Sequence, residues 1–228
     1  MKPDYISPDG RIKLYNADCM DYMATLEPNA FELAVVDPPY GIDILGQFKS
    51  AGVLETKSMF KQSKGVVSND WDKAPPKKEY FHALFKASDN QIIWGGNYFI
   101  DNLRPTRCFI SWDKVNGTNN MADFELAWTS LDKGCRRFSM HHFAHGYGEK
   151  IHICQKPVKL YEWIYSNFAK EGDRILDTHL GSGSSAIAAH YAGLEFVGIE
   201  LDADYFKAAV NRFELETAQS DMFGKDAS

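Results

Sequence analysis

Short apolar runs alternate along this chain with stretches whose apolar residues recur every three or four positions, the rhythm of strands interleaved with helices. Strands are predicted at Ile12–Tyr15, Leu33–Val36, Gln91–Trp94, Cys108–Trp112, Phe124–Trp128, Ile151–Cys154, Arg174–Leu176 and Phe196–Ile199. Helices are predicted at Cys19–Leu26, Lys77–Ala87, Val158–Phe168, Ser185–Tyr191 and Ala203–Phe213. This alternation is that of an α/β fold, a sheet covered by helices on both faces. Between Gly41 and Pro76 the chain is polar, rich in Lys, Ser and Gly, and without sustained periodicity, which reads as a long loop or lid. There is no internal repeat and no low-complexity linker, so residues 1–228 are read as a single domain.

Composition adds little until charge is considered. Hydrophobic residues make up 44%, enough for a sizeable core. The polar amino terminus, with Pro3 and Pro8, does not resemble a signal peptide. No apolar run is long enough to span a bilayer, so no membrane partner is expected. Cys19, Cys108, Cys135 and Cys154 lack zinc-type spacing and read as small apolar residues in a reducing compartment, which gives a cytoplasmic expectation. The net charge of −6 weighs mildly against a nucleic-acid partner, whose phosphates favour basic surfaces. Any basic footprint must be local: Lys57, Lys61 and Lys64, or Lys77 and Lys78, or Arg136 and Arg137.

Two motifs stand where strands end. The segment from Asp177 through Gly181, Ser182, Gly183 and Ser184 follows a strand and opens a helix, and Glu200 ends the next strand. Glycines there let backbone approach a ligand, the helix start offers free N–H groups, and a carboxylate in the position of Glu200 can accept both hydroxyls of a ribose. The pattern satisfies the loose dinucleotide fingerprint as well, so by itself it does not choose between a nicotinamide dinucleotide and S-adenosyl-L-methionine.

The second motif, Asp37-Pro38-Pro39-Tyr40, decides between them. It closes an apolar strand with a carboxylate, rigid proline carbonyls and an aromatic ring. An exocyclic base amine is a poor nucleophile because its lone pair is delocalised into the ring. Two acceptors on its hydrogens, the Asp37 carboxylate and the Pro38 carbonyl, favour a pyramidal nitrogen and stabilise the charge that develops during methylation. Tyr40 offers a face for stacking. No metal is needed, and the cluster His141, His142 and His145 has no carboxylate or cysteine at ligand spacing.

With these residues the sequence resembles the DNA amino-methyltransferases in the circularly permuted order called the beta class, whose catalytic turn precedes the glycine loop. The resemblance covers nearly the whole chain. It implies a Rossmann-like S-adenosylmethionine-dependent methyltransferase fold with a mixed, mostly parallel sheet. It further implies S-adenosyl-L-methionine as cofactor and DNA as substrate, with N6 of adenine as the methylated atom. Around Asp18 and Cys19 the chain is similar to the family's segment at the cofactor adenine. His152 to Pro157 resembles the segment before the cofactor loop, which places Lys156 at the methionine carboxylate. Phe196 to Glu200, with Leu201 following and Tyr205 beyond, resembles the ribose-binding strand and its neighbouring helix. Relatives in this class are often dimers, so a homodimer is expected by analogy.

The chain departs from the family at Thr178 and His179, where the usual loop has Pro and Phe, a change in the packing beneath the cofactor. The usual recognition insert is short, leaving Gly41–Pro76 and Lys133–Lys150 as the expected DNA-recognition segments. Phe48, Phe60 and Trp71 are available to fill the stack vacated by a flipped base. Trp112-Asp113-Lys114 and Glu125 to Trp128 are read as sheet ends shaping the pocket. Cytosine-N4 methylation uses the same chemistry, but related cytosine enzymes more often begin the turn with Ser. RNA adenine enzymes usually end it with Trp, and protein-glutamine enzymes begin it with Asn. A nicotinamide oxidoreductase leaves the turn unexplained. A catalytically silent subunit that binds cofactor or DNA is the remaining alternative, set against an intact turn.

Overall fold

The computed structural model describes residues 1–43, 72–115, 122–141 and 154–223. Their strands form one sheet: β1 (Tyr5–Ile6), β2 (Ile12–Asn16), β3 (Phe31–Val36), β4 (Ser88–Trp94), β5 (Phe109–Asp113), β6 (Phe124–Thr129), β7 (Arg136–Ser139), β8 (Arg174–Asp177) and β9 (Glu195–Glu200). The spatial order is β1-β2-β9-β8-β3-β4-β6-β5-β7. Pairs are parallel except β1–β2, β4–β6 and β5–β6. Only β1 and β6 therefore run against the rest, the mixed, mostly parallel sheet expected.

Alternation along the strands builds two cores. Leu33 and Val35 of β3, with Ile92 and Trp94 of β4, face α3 (Val158–Phe168), α4 (Ser184–Tyr191) and α5 (Ala203–Phe223). Ala34, Val36 and Ile93 face α1 (Cys19–Ala24) and α2 (Lys78–Ala87). A strand buried on both faces needs no polar alternation, which is why β3 ends in the apolar run Leu33–Val36 and β4 in Ile92–Trp94. α2 buries Tyr80, Phe81, Leu84 and Ala87, one stripe of an amphipathic helix. α4 buries every residue from Ser184 to Ala189, because it lies between the sheet, α3 and α5. Its small side chains permit that close packing.

Four expectations change. β1 and β7 have no counterpart among the predicted strands. β7 lies inside the expected recognition segment Lys133–Lys150, so Arg136 and Arg137 belong to the outermost strand of the sheet. α5 continues beyond Phe213 to Phe223, supported by the Arg212–Glu216 pair one turn apart. Of the expected strand Ile151–Cys154, only Cys154 is described, and it lies in a turn. The segment holding Lys57, Lys61, Lys64, Phe48, Phe60 and Trp71 lies outside the described residues, as do His142 and His145. No described helix is long and apolar enough to cross a membrane. No cluster of metal-ligating side chains occurs among the described residues.

Candidate active site

Because β2, β9, β8, β3 and β4 are parallel, their carboxyl ends share one edge of the sheet. That edge collects residues far apart in the chain: Asp18 after β2, Glu200 ending β9, Asp177 ending β8, Asp37 after β3 and Gly95 after β4. Ligands of open α/β sheets bind at such edges.

The Asp37–Tyr40 turn is held from three sides. The Tyr40 hydroxyl donates to Asp37 Oδ1 at 2.7 Å, and Lys156 Nζ donates to Asp37 Oδ2 at 2.5 Å. The Tyr40 ring stacks on Tyr98 with centroids 5.0 Å apart and planes 17° from parallel. Behind it sits Gly95 in a left-handed conformation, φ +71°, where a Cβ would lie 2.3 Å from Tyr40 Cε1. Glycine is required there on both counts.

Lys156 is buried, and it donates to Tyr40 Oη at 3.1 Å and pairs with Glu125 Oε2 at 3.1 Å. Its ammonium also lies 5.2 Å from the Trp94 ring centre. Lys114 binds the other Glu125 oxygen at 2.7 Å. Burial works against the Lys156 charge, but Asp37 and Glu125 outweigh it and hold its pKa above that of a free lysine. Burial likewise opposes the Glu125 charge, yet Lys156 and Lys114 bring its pKa down to about 2. For Asp37, burial wins over Lys156, and Glu125 adds to it, so its pKa is raised. The cluster therefore contains a firmly charged lysine, a firmly charged glutamate and an aspartate with increased basicity.

The glycine loop is organised by two acids. Asp177 accepts from Ser185 Oγ at 2.5 Å and from the His179 amide at 3.0 Å, and burial pushes its pKa up to about 7. Glu200 accepts from the Gly181 and Asp202 amides at 2.9 and 3.0 Å, and burial raises its pKa as well. Arg212 of α5 supports the loop from beneath, donating to the Ser182 carbonyl and to Ser184 Oγ, both at 2.9 Å. Gly181 has φ +53°, and a Cβ there would meet nothing closer than 3.9 Å, so its outer side is open. The Leu201 side chain is exposed, while its carbonyl accepts from Asn16.

Asp18 caps α1 by accepting from the Met20 amide at 2.7 Å. Cys19 and Met20 then line a cleft of about 510 Å³, together with Pro39, Tyr80 and His179. The cleft thus reaches from Pro39 of the Asp37–Tyr40 turn to His179 after β8, and its size is that of ligand sites, roughly 300–1,000 Å³. Burial raises the Cys19 pKa to about 12, which leaves a neutral thiol. Burial lowers the His179 pKa to about 4, which leaves a neutral imidazole.

Every expected site residue lies on this edge, in two groups: the turn with Lys156, and the glycine loop with Asp18, Cys19, Glu200 and Leu201. The family resemblance puts Lys156 at a methionine carboxylate, and here it engages Asp37, Glu125 and Tyr40. Tyr98 and Tyr80 are site residues that sequence reasoning misses, and Lys114 and Glu125, read there as sheet ends shaping the pocket, take on an ion-pair role that reading did not assign. Glu125 has a signal, an acid opening an apolar strand, but its position follows from β6 running antiparallel. Tyr98 follows the Gly95-Gly96 turn, a second readable mark of close approach.

Among known proteins, the family described as DNA methylase matches residues 111–211 of this chain. Type II methyltransferase M2.DpnII of Streptococcus pneumoniae is 31% identical over 147 residues, 64% of this chain and 50% of that protein. Type II methyltransferase M2.LlaDCHI of Lactococcus lactis subsp. cremoris is 28% identical, over 62% of this chain and 48% of that one. The chain thus spans about half the length of these two relatives. Type II methyltransferase M2.MboI of Moraxella bovis is 22% identical over 93% of this chain and 91% of its own. Among solved structures, the M1.HpyAVI–SAM complex superposes with a TM-score of 0.55 at 19% identity, covering 88% of this chain and 99% of that one. The cytosine-N4-specific PvuII DNA methyltransferase gives 0.57 at 14% identity, covering 93% and 89%. These likenesses establish a shared fold.

Proposed function

We propose that this chain, which belongs to the DNA methylase family of N6 and N4 amino-methyltransferases, transfers a methyl group from S-adenosyl-L-methionine to N6 of adenine in DNA. The observation that carries this reading is the Asp37–Tyr40 turn at the end of β3, on the same sheet edge as the glycine loop after β8, with Pro39 of the turn and His179 after β8 lining one cleft.

The residues present fit such a cofactor. It carries a sulfonium and an ammonium, and the edge offers the acids Asp18, Asp177 and Glu200 with the open outer side of Gly181. Glu200 would hold the ribose hydroxyls, the Gly181–Ser184 backbone the methionine end, and Asp18 with Cys19 the adenine side. When bound, the cofactor supplies an activated methyl on a good leaving group.

The chain supplies acceptors and alignment. Asp37 and the Pro38 carbonyl take the two amine hydrogens and localise the nitrogen lone pair. The raised pKa of Asp37 makes it a stronger acceptor and a suitable temporary home for the proton the amine gives up. Tyr40, whose ring stacks on Tyr98, donates its hydroxyl hydrogen to Asp37, and that bond fixes the carboxylate's orientation. Positioning of this kind, rather than covalent catalysis, supplies the rate. A base inside a duplex must leave the stack to reach the turn. The expected recognition segments, Gly41–Pro76 and Lys133–Lys150, and a homodimer remain part of this proposal. The Type II designation of the relatives supports a role in modifying DNA within a restriction–modification pairing.

Incubation with DNA and methyl-labelled cofactor, followed by separation of N6-methyladenine from N4-methylcytosine, tests the assignment. Label in cytosine would replace it with the N4 reading. Asp37→Ala is expected to abolish transfer while cofactor binding survives in part; full activity in that variant would overturn the role of the turn.

A further inference from the structure

The methyl transfer outlined above makes no use of Glu125, yet Glu125 stands at the centre of the charged cluster beside the turn. It is the second residue of β6, and the antiparallel course of that strand brings its amino end to the edge where the parallel strands finish. Its two oxygens divide two lysines: Oε1 holds Lys114 at 2.7 Å and Oε2 holds Lys156 at 3.1 Å, with the Tyr40 hydroxyl 3.4 Å from Oε2.

Lys156 has three N–H donors and directs them to Asp37, Glu125 and Tyr40. This arrangement poses a problem for the chemistry. The target amine needs the Asp37 carboxylate as an acceptor, and a lysine paired with that carboxylate weakens it. With one anionic partner, a buried ammonium would settle wholly on Asp37, since an unpaired charge in that position is costly. With two, it is shared.

We propose that Glu125 is a positioning residue for methyl transfer: Lys156 Nζ rests nearer Asp37 Oδ2 (2.5 Å) than Glu125 Oε2 (3.1 Å), and Glu125 is the second anion onto which the ammonium moves when the target amine takes its place at Asp37. The inference rests on the reading of Asp37 as the amine acceptor. Lys114 tethers Glu125 in place from the end of β5, its own ammonium lying 5.4 Å from the Trp112 ring centre.

The pH behaviour follows from the groups around Asp37. Lys156 and Tyr40 touch it, and Glu125 faces it from β6. Tyr80 of α2, Tyr161 of α3, Cys154 and Asp177 lie farther off. The tyrosines and the cysteine have raised pKa values and stay neutral through the working range. Burial is the main reason the Asp37 pKa is raised, and Glu125 is the permanent like charge that adds to it.

The test is the pH profile of single-turnover methyl transfer to DNA in the whole chain, comparing wild type, Glu125→Gln and Glu125→Asp. Binding of S-adenosylhomocysteine is followed in parallel. Glu125→Gln is expected to lower the plateau rate by about 10- to 100-fold, the scale of a misplaced reacting group. Its acid limb should move to lower pH, because Asp37 has lost a like charge, and Glu125→Asp should restore much of both. An unchanged profile, or a lower plateau with an unmoved acid limb, would overturn the proposal; the second result marks a merely structural residue. If Glu125→Gln does not fold, Lys114→Met takes its place. It removes a cation and should move the acid limb to higher pH, and an unmoved limb there overturns the proposal as well. A wild type that transfers no methyl group to any base defeats the functional reading itself, and the inference with it. A shifted profile in an active enzyme tests Glu125 alone.

Discussion

Gly95→Ala gives a direct measure of how closely the catalytic turn is placed. Two costs arise at this position. The backbone has φ +71°, a conformation that costs an alanine roughly 1–2 kcal/mol. The new Cβ would also fall 2.3 Å from Tyr40 Cε1, 2.5 Å from Cδ1 and 2.9 Å from Cζ. Carbon atoms rest roughly 3.5–4.0 Å apart, so the ring must retreat by about 1 Å or more. Tyr98 stacks on that ring, which limits the room, and overpacking of this kind typically costs about 1–3 kcal/mol. The expected destabilisation is therefore about 2–5 kcal/mol in all. The retreat also carries the Tyr40 hydroxyl away from Asp37 and Lys156, and a misplacement near 1 Å costs about 100-fold in rate.

Gly10→Ala is the control. Gly10 has φ +78°, and a Cβ added there would meet nothing within 4 Å, so it reports the backbone cost alone. Urea denaturation of both variants isolates the clash by difference. Single-turnover methyl transfer then reads the displacement of Tyr40, and S-adenosylhomocysteine binding verifies that the glycine loop is intact. A Gly95→Ala protein as active as wild type and as stable as Gly10→Ala would refute the view that the Tyr40 position governs the chemistry.

Two further outcomes concern the glycine loop. His179 ionises near 6.5 when unfolded, but burial lowers its pKa to about 4 in the native state. The unfolded chain therefore binds the extra proton first, and native stability falls as pH drops from about 6.5 to about 4. Replacing it with Phe removes that loss, so Tm or urea midpoints at pH 4.5 and 7.5 should differ less in His179→Phe, by about 2 kcal/mol after allowance for its partial exposure. An equal or larger difference would show that the imidazole is not held neutral. Arg212→Ala removes the partner of Glu216 and leaves a carboxylate only 10% exposed unpaired, with an expected cost of about 3–5 kcal/mol. The added change Glu216→Gln should recover part of it in a double-mutant cycle. A cost below about 1 kcal/mol for Arg212→Ala would show that the pair is not buried as described.

Much of this architecture is legible because burial on both faces of a parallel sheet leaves a plain trace. Leu33–Val36 and Ile92–Trp94 are continuous apolar runs, and each ends at a turn residue that belongs to the site. The short outer strands leave no such trace. Arg136-Arg137-Phe138-Ser139 becomes β7 by pairing its backbone with β5, and only Phe138 packs inward, against Trp163. The far end of α5 is hidden for a similar reason, since Glu214-Leu215-Glu216-Thr217 has the composition of a solvated tail until Arg212 reaches Glu216.

The same distinction separates the site residues that can be read from those that cannot. Asp37, Asp177 and Glu200 each end a parallel strand, so the rule that ligands gather at carboxyl ends brings them together although they lie far apart in the chain. Glu125 is the second residue of its strand, and by that rule it belongs at the opposite edge. It reaches the site because β6 is reversed between β4 and β5, and strand direction is decided by pairing rather than by any local residue preference. Lys156 combines both cases. The family resemblance places it at the proposed cofactor, while its observed partners, Asp37, Tyr40 and Glu125, depend in part on that reversed strand. The unanticipated part of the site is thus the ion-pair cluster around Lys156, where local pattern and sheet topology meet. Substitutions there should alter the pH dependence of transfer, whereas substitutions around Glu200 should first alter cofactor affinity.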